Sequence, residues 1–111
     1  MDKRFKFKDT TAKYSIYDKD DNLIKEYIID VGSEDFITKV ENKRKELEKV
    51  TTDSETGIEE AKKIMRELIN MIFKNDFDII YEACNKNIFW MGKFLEDVSN
   101  WIADNYEEMQ K

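Results

Sequence analysis

The sequence predicts an α+β fold, mainly α, in which an N-terminal β-hairpin precedes a bundle of about four helices. Three observations carry that reading. Proline is absent from the 111 residues and glycine occurs only at 32, 57 and 92, which favours long helices over a many-turned β fold. Apolar residues alternate at period two only before residue 32, and afterwards recur at helical spacing. With 41% hydrophobic residues, the chain has enough apolar side chain for one core of ordinary single-domain size.

The elements follow in order. Phe5 and Phe7 alternate with Arg4, Lys6 and Lys8, the pattern of a short edge strand and a candidate third strand of the sheet. Tyr14 and Ile16 alternate in the same way. After the cluster Asp18-Lys19-Asp20-Asp21-Asn22 comes a second run in which Tyr27, Ile29 and Val31 share a face. Two such runs around an Asp/Asn cluster read as a hairpin occupying residues 1–32, with Lys25 interrupting the alternation.

Ser33, followed by Glu34 and Asp35, is an N-cap signature for a charged helix over residues 33–50. Its apolar stripe is narrow (Phe36, Val40, Leu47, Val50), and Lys43 intrudes on it. Residues 51–57 are a polar linker. Thr56 with Glu59 fits a capping box that starts the next helix near Ile58. From Ile58 to Phe73 apolar residues cover about 200° of the helical wheel, so this helix is central. Asp76 is placed to cap a shorter helix holding Phe77, Ile80 and Tyr81.

The last helix, over residues 88–102, holds both tryptophans. Ile88, Met91, Leu95, Val98 and Ile102 form one stripe, and Trp90, Phe94 and Trp101 form an aromatic stripe beside it. Together they span roughly 160°, wider than the ~100° of a one-sided surface helix. That excess makes Trp90, Phe94 and Trp101 the candidates for partner binding or self-association, or else a second core layer under the hairpin. The apolar bundle spans 58–105 and a polar tail at 106–111 is expected to fray.

Charge and residue types narrow the chemistry. Residues 1–50 carry 12 Lys/Arg and 12 Asp/Glu, and residues 51–111 carry 7 and 13, so the net −6 lies entirely in the helical part. That part repels phosphate, and neither a nucleic acid nor a membrane is expected as partner. There is no histidine, hence neither the commonest general base nor the commonest metal ligand. Asp18, Asp20 and Asn22 match the first three ligand positions of a calcium loop. Leu23 and Ile29 stand where that loop needs glycine and glutamate. The acidic pairs Glu59/Glu60, Asp76/Asp78 and Glu96/Asp97 read as solvated faces. Cys84 is the single cysteine and reads as a small buried hydrophobe. No signal peptide or membrane span is present in the pattern, and a cytoplasmic protein without enzymatic activity, metal or cofactor is expected.

The order of a hairpin, then Asp30-Val31-Gly32-Ser33-Glu34-Asp35-Phe36 opening a charged helix, then an apolar bundle whose central helix ends Met71-Ile72-Phe73, resembles the small tail assembly chaperones of long-tailed phages and prophages of Gram-positive bacteria. Where that family often has a glycine-rich turn after Ile-Phe, this chain has Lys74-Asn75-Asp76. The resemblance implies a non-enzymatic chaperone of the bacterial host cytoplasm that binds the tape measure protein, with the tail tube protein as a further partner, during tail morphogenesis. It also implies self-association into a homo-oligomer. The acidic helical half supports an alternative reading, a small inhibitor or immunity-type protein that blocks a basic partner.

Overall fold

In the computed structural model, which describes Met1–Lys111, strands β1 (Thr11–Tyr17) and β2 (Leu23–Asp30) precede helices α1 (Glu34–Glu48), α2 (Glu55–Ile72), α3 (Phe77–Ala83) and α4 (Ile88–Met109). The fold is α+β and mainly α, with the hairpin and four helices in the predicted order.

The hairpin is antiparallel, Tyr14 facing Tyr27 and Ile16 facing Lys25, with a register shift between Ile16 and Tyr17. Its turn explains the acidic cluster. The Asp18 carboxylate accepts the backbone N–H groups of Asp20 and Asn22, each at 2.9 Å. Asp21 takes the left-handed conformation, φ 62°. The spacing that resembles a calcium loop is therefore used by the turn's own backbone. Lys25, opposite buried Ile16, lies at the rim of the core-facing side, and its ammonium reaches the Asp76 carboxylate at 2.6 Å.

The candidate third strand does not form. Residues 1–9 are exposed throughout, and the Phe5 and Phe7 rings, 5.0 Å apart, are 76% and 85% exposed. Alternation supplies the period of a strand but not an edge to bond to. The segment's last tie to the domain is the Gly32 N–H, which donates to the Thr10 carbonyl. A Cβ on Gly32 would come within 2.4 Å of the Thr10 side chain, so glycine is required for that approach.

Helix α1 is capped as predicted, the Ser33 hydroxyl accepting the Phe36 N–H. Val40 is its one buried residue, as the narrow stripe implies. Lys43 is accommodated because its ammonium pairs with Glu67 of α2 and with Glu46.

Helix α2 begins at Glu55, three residues before the predicted start. Its cap is Ser54, whose hydroxyl accepts the Gly57 N–H at 3.1 Å, and not Thr56. Packing decides between these two good caps. A Cβ on Gly57 would sit 1.9 Å from the Thr51 carbonyl oxygen, so the linker folds onto the helix only where a glycine leaves room, and that sets the first turn around Gly57. Further along, Ala61, Ile64, Met65, Leu68, Ile69 and Ile72 are buried, making this the central helix.

Lys74 and Asn75, and later Asn85 and Lys86, have φ between 53° and 67°, left-handed pairs that reverse the chain before α3 and α4. Asp76 stands at the α3 N-cap position without making a capping bond. The Lys25 ammonium and the Tyr27 hydroxyl (2.9 Å) engage its carboxylate instead. Phe77 is buried and stacks on Tyr81, while Arg66 and Lys62 of α2 lie over these two rings. Cys84 is half-buried, its thiol donating to the Tyr81 carbonyl.

The predicted frayed tail is helical to Met109. Ile102, Tyr106 and Met109 continue the α4 stripe at helical spacing, and Met109 packs at the edge of the core. At the centre of that core is Phe73, fully buried, with Tyr14, Tyr27 and Phe94 around it at ring separations of 5.0–5.7 Å.

Candidate protein-binding surface

The aromatic stripe of α4 divides where the hairpin ends. Tyr14 of β1 lies edge-on to Phe94 (6.0 Å) and to Trp101 (5.0 Å). Its hydroxyl donates to Asp97 at 2.7 Å. Phe94 and Trp101 are accordingly half-buried members of the core margin. Trp90, one turn earlier, is beyond that cover and is 62% exposed. Of the three candidates, then, the hairpin gathers two and leaves the third in solvent.

Trp90 has a neighbour that the stripe analysis overlooked. Phe89 is also 62% exposed. A signal for it exists: on the wheel of α4, Phe89 falls about 100° from Ile88, among Lys93, Glu96 and Asn100, where an aromatic ring has no core to enter.

Both rings are set on a rigid base. Asn87 caps α4 by accepting the N–H groups of Phe89 and Trp90 at 2.9 and 3.1 Å. Met91, directly after them, is fully buried. Lys93 lies with its ammonium 5.7 Å from the Trp90 ring, a cation–π contact that orients the indole without covering it. Two large aromatics are thus exposed side by side on an ordered helix start, and tryptophan is a residue type enriched at binding hot spots.

The charged groups are arranged for structure. No charged or polar residue is buried, and no three acidic or thiol side chains stand close enough to share a metal ion. Hydrogen bonds from Lys25 and then Tyr27 hold the Asp76 carboxyl below the usual carboxylate range. Burial, followed by the bonds to Asp97 and Asp76, raises the Tyr14 and Tyr27 phenols well above their ordinary value. No helix is long and apolar enough to cross a membrane. Comparison with known proteins finds no matching family model, no matching curated protein and no matching solved structure.

Proposed function

We propose that the protein is a non-enzymatic assembly chaperone of a long-tailed phage or prophage, binding an apolar segment of the tape measure protein while the tail is built. The observation that carries this reading is the exposed Phe89–Trp90 pair on the capped start of α4. A holding surface for a helical client needs large apolar side chains presented at low entropic cost, and capped helical aromatics meet that need. The layout of hairpin, charged helix and apolar bundle supports the same reading. The family's glycine-rich turn also has its counterpart: Lys74 and Asn75 adopt left-handed backbone, φ 54° and 67°, the conformation that glycine favours.

The test is co-expression with tape measure fragments and measurement of capture. Trp90→Ala should weaken binding by about 2 kcal/mol or more, roughly 30-fold. Its unfolding midpoint should stay within about 0.5 kcal/mol of the parent, as for other surface changes. Capture that survives both Trp90→Ala and Phe89→Ala would refute this surface as the client site.

A further inference from the structure

The first two turns of α4 carry a single charge, and it is positive. Within Ile88–Leu95, Lys93 is the only charged residue. It stands one turn beyond both exposed rings, four residues after Phe89 and three after Trp90, so the three side chains share one solvent-facing patch. Its ammonium lies 5.7 Å from the centre of the Trp90 ring and takes part in no ion pair.

The acids nearest to Lys93 along the helix are engaged or placed elsewhere. Asp97, one turn further on, accepts the Tyr14 hydroxyl at 2.7 Å. Glu96 lines the groove between α4 and α1, beside Leu47 and Arg44. Lys86, the cation of the turn before α4, is held by Glu82 at 3.2 Å. Lys93 is thus left with the indole face alone. An ammonium this close to the ring lies inside the footprint of anything that covers Trp90. Removing it from water without a counter-charge is unfavourable, so a partner seated on both rings binds better if it brings a carboxylate to this point.

We propose that the client segment is an amphipathic helix with Asp or Glu bordering its apolar stripe, one turn from the side chain that meets Trp90, and that Lys93 selects it. The inference rests on the reading of Phe89 and Trp90 as the client surface. Residues three apart on a helix have Cβ atoms about 5–6 Å apart. A client helix with an apolar residue and a carboxylate at that spacing therefore meets Trp90 and Lys93 together. The protein's net charge of −6 opposes acidic clients at long range. Selection accordingly depends on where the client's carboxylate stands and not on its total charge. A stripe bordered by Lys or Arg is rejected, because it brings like charges together at Lys93.

Fluorescence anisotropy with two labelled synthetic peptides of identical composition tests it. Both are amphipathic helices with the same Leu/Phe stripe; one has Glu beside the stripe and Lys on the far face, and the other has the two exchanged. Their net charge is equal, so long-range repulsion cancels in the comparison. The full-length parent should bind the first peptide at least tenfold more tightly. Lys93→Met should level the two affinities, and Lys93→Glu should reverse their order. Both variants should keep the parent's unfolding midpoint, since the Lys93 side chain is exposed. Trp90→Ala should weaken both peptides. Equal affinities in the parent, or a preference that Lys93→Glu leaves intact, would overturn the selection by Lys93 while leaving the aromatic surface standing, provided that Trp90→Ala still weakens binding. Affinities that Trp90→Ala does not change, or no binding of either peptide, would overturn the surface and the selection with it.

Discussion

Asp76 shows how far a residue's job can depart from its local signature. Its place before Phe77 reads as a helix cap, yet its carboxylate ties the hairpin to the start of α3 through the Lys25 ammonium and the Tyr27 hydroxyl. Because those bonds hold its folded-state pKa below the unfolded value, the stability they confer is fully present above the ordinary aspartate pKa of about 4. It is lost as pH falls through the folded value. Asp76→Asn should therefore unfold at lower urea than the parent at neutral pH, and the gap should close on acidification through that window. Urea midpoints measured from neutral to strongly acidic pH check this; a gap that stays constant would show that the ion pair contributes nothing. Neither partner could be inferred from residue order, since Lys25 and Tyr27 lie 51 and 49 positions away.

The helices show which parts of an element are local. Periodicity located the body of α2 and α4, because one buried face imposes the 3.6-residue repeat on the residues that fill it. Their ends followed other contacts. Helix α2 starts where Gly57 passes Thr51, and α4 continues to Met109 because that side chain reaches the core edge. Ser54→Ala should cost about 0.5–2 kcal/mol, as for other lost N-caps. Thr56→Ala should fall within about 0.5 kcal/mol. Thermal or urea unfolding of the two variants would decide between the caps, and the reverse ranking would mean that Thr56 is the true one.

As a whole the molecule is less compact than its length suggests. Its radius of gyration is 16.3 Å, against roughly 13 Å for a globular chain of this size. Residues 1–9, an exposed N-terminal arm, lie outside the core. Deleting residues 1–9 should leave the unfolding midpoint of the dilute protein unchanged within about 0.5 kcal/mol, since nothing packed is removed. Circular dichroism melts at micromolar concentration check this, and a clear loss of stability would mean that the arm folds against its own domain.

The fold class, the shared buried face of Tyr27, Ile29 and Val31, the central helix and the wide apolar arc of α4 were all readable from the order of residues, whereas the pairing register of the hairpin was not, because Lys25 interrupts the alternation. Each of the readable features is a repeat within a few positions, and burial of one face enforces it. The division of the aromatic stripe was not readable in this way. Trp90, Phe94 and Trp101 share one helical angle, and what separates them is the distance the hairpin reaches along α4, a matter of contacts between segments some 80 residues apart, such as Tyr14 with Asp97. The arm follows the same logic. Its alternation is that of a strand, but a strand exists only when another backbone pairs with it, and within this chain none does.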